Sequence, residues 1–424
     1  MPRTGIRKTA LSLAVAAAFA GSVSQAHASS FALIEQNASG LGNSYAGAAA
    51  AAEDASTIFF NPAGMSLLPS GSQIVGGVAL IRPSIKFSDG GSVAALATPL
   101  GSTGGDAGSL AAVPNFYFAM DLVPNWKAGI GVSVPFGLKT EYSSDWMGRF
   151  QAIKSDIQTL NINPSVSYKL SDTTSLGFGL SYQTIDAELT RAFNNVTVPP
   201  NTPGEGTTSI KGSDGAWGYN LGAMFQLAPE TRLGVSYRSQ IKYHITGPLT
   251  FTNTPLPNGN ESLYITMPDS LSFALSHRID SKWTLLGDLT WTGWSKIQQL
   301  NITFDNGLPA SVTPENFKNT WRAGVGATYR YSDDWSIKMG AAYDQTPVNN
   351  TDRTPRLPDQ NRLWLSVGGQ HRLSSATTLD FGYAHLFLKD APIDQDASAT
   401  GNGHLVGTYR GSIDILGVQF AYRF

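Results

Sequence analysis

The sequence predicts an all-β protein: a 14-stranded antiparallel transmembrane β-barrel whose lumen holds an N-terminal hatch, or plug. Three observations predict it. The last nine residues place Leu416, Val418, Phe420, Tyr422 and Phe424 at alternate positions, with Gly417, Gln419, Ala421 and Arg423 between them. A strand sends alternate side chains to opposite faces, so this one has a greasy face and a small or polar face. Charged residues make up 14% of the chain, well below the ~25% of soluble domains. Yet no run of residues approaches the ~20 apolar positions of a membrane helix. Finally, the connections alternate strictly between short and long, as in barrels with short periplasmic turns and long outside loops.

Taken from the start, Arg3, Arg7 and Lys8 precede a short apolar run from Ala10 to Ala20 and a small-residue box at Ala26-His27-Ala28. This is the pattern of a secretion signal, with cleavage expected after Ala28. Domains are therefore expected at 1–28 (signal), 29–71 (hatch) and 72–424 (barrel). Residues 29–71 resist the strand pattern. They are small and apolar, with Ala46 to Ala52 suited to two helical turns. A dangling tail should be polar, so a plug inside the lumen is the expected place for them.

Strands are expected at roughly 72–87, 113–122, 126–136, 157–170, 174–190, 214–227, 231–246, 268–279, 282–303, 318–331, 335–344, 361–373, 377–388 and 408–424, from alternating faces. In one of them Trp321, Ala323, Val325, Ala327, Tyr329 and Tyr331 oppose Arg322, Gly324, Gly326, Thr328 and Arg330. Short turns fall at Pro124-Asn125, Ala228-Pro229-Glu230, Asp280-Ser281 and Ser332-Asp333-Asp334, among others. Trp126, Trp217, Trp283, Trp335, Tyr168, Tyr331 and Tyr422 stand near strand ends, where amphipathic rings suit the headgroup girdles.

Composition also excludes function classes. The chain has 0 cysteines and a formal charge of −2. The expected signal carries three basic and no acidic residues, so the remainder is more acidic still and nucleic acid is not an expected partner. The 6 histidines show no metal-ligand spacing, and no Gly-x-Ser-x-Gly or other catalytic constellation is present. No cofactor, metal or catalytic residue is expected.

The hatch segment carries a further signal. Phe31, Ser39-Gly40-Leu41-Gly42, Tyr45-Ala46-Gly47, Asp54-Ala55-Ser56 and Asn61-Pro62-Ala63 occur in order ahead of the strands. Gly137-Leu138-Lys139-Thr140-Glu141-Tyr142, Asn161-Ile162-Asn163-Pro164-Ser165, Pro358-Asp359 and Arg362-Leu363-Trp364-Leu365-Ser366-Val367-Gly368 follow. Over all of the expected mature chain this set resembles the FadL-type outer-membrane transporters of long-chain fatty acids and other hydrophobic compounds. The resemblance implies capture between outside loops, transfer to a pocket against the hatch, and lateral release into the membrane. It also implies passive diffusion through a monomer embedded in outer-membrane lipids. It gives Phe31 a place in the inner pocket, Asn61, Pro62 and Ala63 a gating turn, and Pro135 and Gly137 an inward kink of the wall. It implies a cation for a fatty-acid carboxylate, for which Arg191 is the candidate. Loop 137–156, with Leu138, Tyr142, Trp146, Met147 and Phe150, is expected to form part of the capture groove. Its end has amphipathic helical spacing, with Asp145, Arg149 and Lys154 facing water. Alternatives are a channel for aromatic or alkane hydrocarbons, a general hydrophilic porin, and an adhesin or phage receptor acting through its loops.

Overall fold

The computed structural model describes residues 30–424, so the expected signal sequence and its cleavage point lie outside the described residues. Strands β1 (Ser72–Asp89), β2 (Ala111–Val123), β3 (Trp126–Ser133), β4 (Gly137–Glu141), β5 (Lys154–Lys169), β6 (Thr174–Asn194) and β7 (Glu205–Ala228) form the first half of the wall. The second half contains β8 (Thr231–Arg238), β9 (Ile241–Thr252), β10 (Gly259–Met267), β11 (Ser270–Arg278), β12 (Trp283–Thr292), β13 (Gln299–Phe304), β14 (Ser311–Pro314), β15 (Thr320–Arg330), β16 (Trp335–Asp344), β17 (Arg362–Arg372), β18 (Thr377–Leu388), β19 (Ala391–Asp396) and β20 (His404–Arg423). They amount to 14 antiparallel staves, some interrupted. The sheet closes where β1 pairs with β20, from Gln73↔Arg423 to Asp89↔Gly407. Closure pairs the backbone groups that lipid cannot satisfy.

Each stave shows the expected two faces. On β20, Leu416, Val418, Phe420 and Tyr422 are exposed, while Ile413, Ile415, Gln419 and Ala421 are buried. In water the exposed set would be an aggregation surface; in a bilayer it is the required skin. Aromatic pairs ring both edges of that skin. Trp126 meets Tyr168 and Trp283 meets Tyr329 beside short turns, each at 4.7 Å between ring centroids, while Tyr182 meets Trp217 at 5.0 Å nearer the long loops.

Several staves differ from the expected continuous strands. The one expected over 126–136 stops at Ser133 and resumes at Gly137. The staves expected over 231–246 and 282–303 break at Ser239-Gln240 and at a turn of 3-10 helix, Trp294–Lys296, and the one expected from 268 begins at Ser270, where Pro268-Asp269 separates it from β10, a strand formed in the expected loop 247–267. Proline cannot donate to a ladder, and Gly293 hands its N–H to the Asp269 carbonyl (2.9 Å) instead. These adjacent breaks turn Trp294 inward, where it is wholly buried.

Residues 30–71 lie inside the barrel as short turns and helices: Leu41–Asn43, Ala48–Ala51, Thr57–Phe60 and Pro62–Leu67. The alanine run gives a single helical turn, not two. Both of its ends, Gly47 and Ala52, take left-handed backbone angles. The inward-facing glycines of the wall explain how so much chain fits. A Cβ on Gly42 would come within 2.8 Å of the Gly368 backbone, and one on Gly234 or Gly340 would overlap the backbone of Ala49 or Asn43. The small face of the staves is thus a seat for the inner segment.

Candidate functional site

The site is built on the break between β3 and β4. Pro135 has no N–H to give, and the segment 134–136 turns into the lumen with Val134, Pro135 and Phe136 all buried. The hatch supplies what the ladder does not. The N–H of Leu33 donates to the Pro135 carbonyl (2.8 Å), and that of Gly137 to the Phe31 carbonyl (2.8 Å). Gln36 completes the clasp: its amide donates to the Val134 carbonyl (2.7 Å) and accepts from the Val134 N–H (3.1 Å). Phe136 N–H donates to Thr159 Oγ1 (2.9 Å). Nothing in the sequence pattern singles out Gln36 or Thr159, because each acts through a partner remote in the chain.

The diversion leaves a slot. β2 pairs with β3 only from Phe116↔Val132 to Val123↔Trp126, whereas β4 pairs only with β5. Ala111–Asn115 therefore keep one neighbour, β1, in the pairs Ile81↔Ala111 to Gly77↔Asn115. That level of β1 carries the exposed Leu80, so the slot opens at the height of the apolar skin. Asn115 lies at its lower corner, buried, with neither side-chain polar atom hydrogen-bonded among the described residues.

Beside the slot is a cavity of about 170 Å³. Its apolar lining includes Ile34, Tyr45, Phe60, Phe136, Trp294 and Trp364. Phe31 packs on two of these, 4.9 Å from Trp294 and 6.1 Å from Phe136 between centroids. It belongs to a larger apolar cluster with Leu138, Ile185, Ile245, Leu263 and Phe317 that continues along the lumen. The structure thus brings Phe31, Leu138, Pro135 and Gly137 into one neighbourhood. Arg238 and Arg322 supply charge to the cavity wall, and sequence reading missed both. Arg322 pairs with Asp288 at 3.3 Å. Arg238 gives one hydrogen bond to the Phe59 carbonyl (2.8 Å) and lies 4.3 Å above the Phe59 ring.

A second charged group lies nearer the long loops. Arg191 is the inward continuation of β6, beyond the expected end of that strand. Its guanidinium makes no hydrogen bond or ion pair among the described residues. The Arg356 guanidinium is close enough to be repelled by it; burial first, then Arg191, lowers Arg356 to about 10. Arg356 donates to the Lys154 carbonyl (3.2 Å) and to Ser155 Oγ (3.1 Å). The nearby Glu315, buried, has its carboxyl pushed up to about 8 by desolvation. Two adjacent cations beside an acid that resists ionisation make a locally positive spot.

Asn61, Pro62 and Ala63 sit away from the cavity, against β6, β7 and β8. Asn61 Oδ1 accepts from the Ala63 N–H (3.1 Å), and its Nδ2 donates to the carbonyls of Ala49 (2.8 Å) and Ala223 (3.1 Å). Ser175 Oγ donates to the Ala63 carbonyl (3.0 Å). This turn caps the 3-10 helix and fastens it to the wall.

The loop before β5 differs from expectation. No helix forms near its end; residues 142–153 make turns. Trp146 folds back on Tyr142, stacked at 4.0 Å, and donates from Nε1 to the Ala152 carbonyl (2.7 Å). Arg149 does not face water but is buried against Glu205 (2.7 Å). Phe150 packs with Ala95 and Ala192. Trp146 and Phe150 thus lie in two separate buried clusters, neither of which includes Phe31 or Leu138. Helical spacing failed here because Trp146 folds back over Gly148 within the loop while Phe150 packs on residues remote in the chain.

A closed lipid-facing barrel that holds its own leading segment, with an apolar cavity beside a wall slot, defines a plugged outer-membrane channel. The chain belongs to the family described as outer membrane protein transport protein (OMPP1/FadL/TodX), whose pattern matches residues 19–424. It is 27% identical to the long-chain fatty acid transport protein of Escherichia coli O6:H1, covering 100% of this chain and 99% of that protein. It is 28% identical to outer membrane protein P1 of Haemophilus influenzae, covering 94% and 96%. Among solved structures, a Pseudomonas aeruginosa FadL homologue superposes with a TM-score of 0.86 at 23% identity, covering 93% of this chain and 100% of the other. The P. putida toluene transporter TodX gives 0.69 at 18%, covering 87% and 94%. The chain is therefore an outer-membrane transport protein, and the family consists of channels, not enzymes.

Proposed function

We propose that this protein takes up long-chain fatty acids or similar hydrophobic molecules by passive diffusion, as a monomer. Cargo is gathered among the extracellular loops, passes along the apolar cluster of Phe31 and Leu138 to the cavity, and leaves sideways beside Pro135 and Gly137. One observation carries this reading: Pro135 and Phe136, whose kink leaves the upper part of β2 without a partner on that side, also line the largely apolar cavity. An acyl tail gains ~0.8 kcal/mol for each CH₂ removed from water. A route from cavity to bilayer keeps that gain, whereas a route through an aqueous lumen forfeits it. The similarity to the long-chain fatty acid transport protein of Escherichia coli supports this cargo.

Arg191, beside Arg356, favours a carboxylate over an uncharged hydrocarbon, since a charge-assisted hydrogen bond is the natural use of its unpaired guanidinium. Trp146 and Phe150 then serve the capture region by shaping its loops, and Asn61-Pro62-Ala63 holds the hatch against the wall as a gate. On the same reading, export removes 1–28, leaving the hatch at 29–71 and the barrel at 72–424. Amino-terminal sequencing of the membrane-inserted protein should begin at Ser29. The cargo is tested by uptake of labelled oleate into cells carrying the protein as their sole such transporter, with toluene and decane as competitors. Saturable oleate uptake that the hydrocarbons leave intact supports the reading. Uptake of hydrocarbons alone, or a large steady ionic conductance in planar bilayers, overturns it.

A further inference from the structure

Glu35 is fully buried in the leading segment of the hatch, and neither of its carboxylate oxygens has a hydrogen-bond partner on another described residue. It faces a row of charges on three adjacent staves, Arg322↔Asp344↔Arg362, which are direct cross-strand neighbours. Those arginines are already committed. Arg322 pairs with Asp288 and donates to the Ser44 carbonyl; Arg362 pairs with Asp359. Asp359 in turn accepts from the Ser30 N–H (3.0 Å). On the hatch side the neighbour is Tyr45, whose hydroxyl donates to the Asn37 carbonyl (2.9 Å); on the wall, Tyr117 of β2 donates from its hydroxyl to the carbonyl of the adjoining Gln36 (2.8 Å). Asp288 and Asp359 thus take the two guanidinium groups as ion pairs, and Glu35 has no bonded cation among the described residues.

An ionised carboxylate in such a place carries a large desolvation cost, which protonation removes. Burial pushes Glu35 up to about 7, opposed by its own backbone N–H and by Arg362 and Arg322 and reinforced by Asp344. The residue sits between Leu33, which bonds to Pro135, and Gln36, which bonds to Val134. We propose that Glu35 is a proton-operated latch on the hatch clasp: the segment 31–36 stays seated on the wall kink while Glu35 is a neutral carboxyl, and is released from it when Glu35 ionises. The latch concerns the seat itself and is independent of what the channel carries.

The sign follows from linkage. Seating raises the carboxyl above its ordinary range, so the seated segment holds a proton that the released segment gives up. Seating is fully favoured below the ordinary glutamate range and weakens as pH rises toward about 7. The absence of native cysteine makes the test direct. Leu33→Cys places one thiol on the buried clasp, and Ser281→Cys places one on an exposed periplasmic turn as the reference for intrinsic thiol reactivity. Both full-length proteins, in lipid vesicles, are labelled with a maleimide between about pH 5 and pH 8. The normalised rate at position 33 should rise roughly tenfold or more over that range, and Glu35→Gln should flatten the rise. A flat profile with Glu35 present, or an equal rise in Glu35→Gln, overturns the proposal. If the amide variant does not insert, Glu35→Leu replaces it, and the profile with native Glu35 still decides.

Discussion

At the scale of single residues, the lumen separates groups that hold the structure from groups left available. Asn61 is a holding group: it caps a helix and bonds to the wall. Asn61→Ala should lower the resistance of the hatch to unseating by ~1–2 kcal/mol, measured as faster limited proteolysis of the leading segment while the barrel stays heat-resistant. Arg191 is an available group. Arg191→Gln should weaken oleate binding by roughly ten- to a hundredfold, the worth of a charge-assisted hydrogen bond. It should leave binding of the methyl ester unchanged. Equal loss for acid and ester, by tryptophan quenching or calorimetry, would show that Arg191 acts by shape and not by charge.

At the scale of elements, the staves were legible and their interruptions mostly were not. Alternation on β15, β17, β18 and β20 is plain in the sequence because one face meets lipid along the whole strand. Pro135 showed that one stave would fail. The breaks at Ser239-Gln240 and around Trp294 were hidden, because Val, Tyr and Trp continue the apolar pattern while the backbone leaves the ladder. The clasp was hidden too: Leu33, Gln36 and Val134 meet only after the hatch has entered the barrel. The hatch seat could have been read from glycine spacing. Gly340 and Gly368 face inward on neighbouring staves because hatch backbone passes against them. Gly340→Leu should therefore displace the hatch without opening the barrel, seen as a new ionic conductance in planar bilayers with normal heat-modifiable migration. Retention of a closed channel would mean that the hatch shifts to accommodate the side chain.

At the scale of the whole molecule, one local irregularity couples the hatch, the cavity and the membrane. Ser133↔Asn161 and Gly137↔Gln158 bracket three residues on the kinked stave, 134–136, against two on β5. The kink is a one-residue bulge. Bulges bend the strand that carries them and end pairing on one side, and here β2 is the strand that loses its partner. On the proposed route, cargo would enter apolar surface near the loops, stay on it past Phe31 and Trp294, and meet lipid at the slot without crossing water. The hatch packs against the inward-facing glycines of the wall, so the proposed route does not require the barrel to conduct ions.

Deleting Pro135 alone tests this account most directly. The deletion removes both the residue that cannot donate and the extra position, so β3 and β4 become one stave in register with β5 and free to pair with β2. With the deleted protein shown to be folded by heat-modifiable migration, labelled oleate uptake should fall by about an order of magnitude or more, since the acyl chain loses the gain of ~0.8 kcal/mol per CH₂ wherever it must leave through water. Binding of oleate to the purified protein should persist. Undiminished uptake through the straightened wall would contradict lateral release.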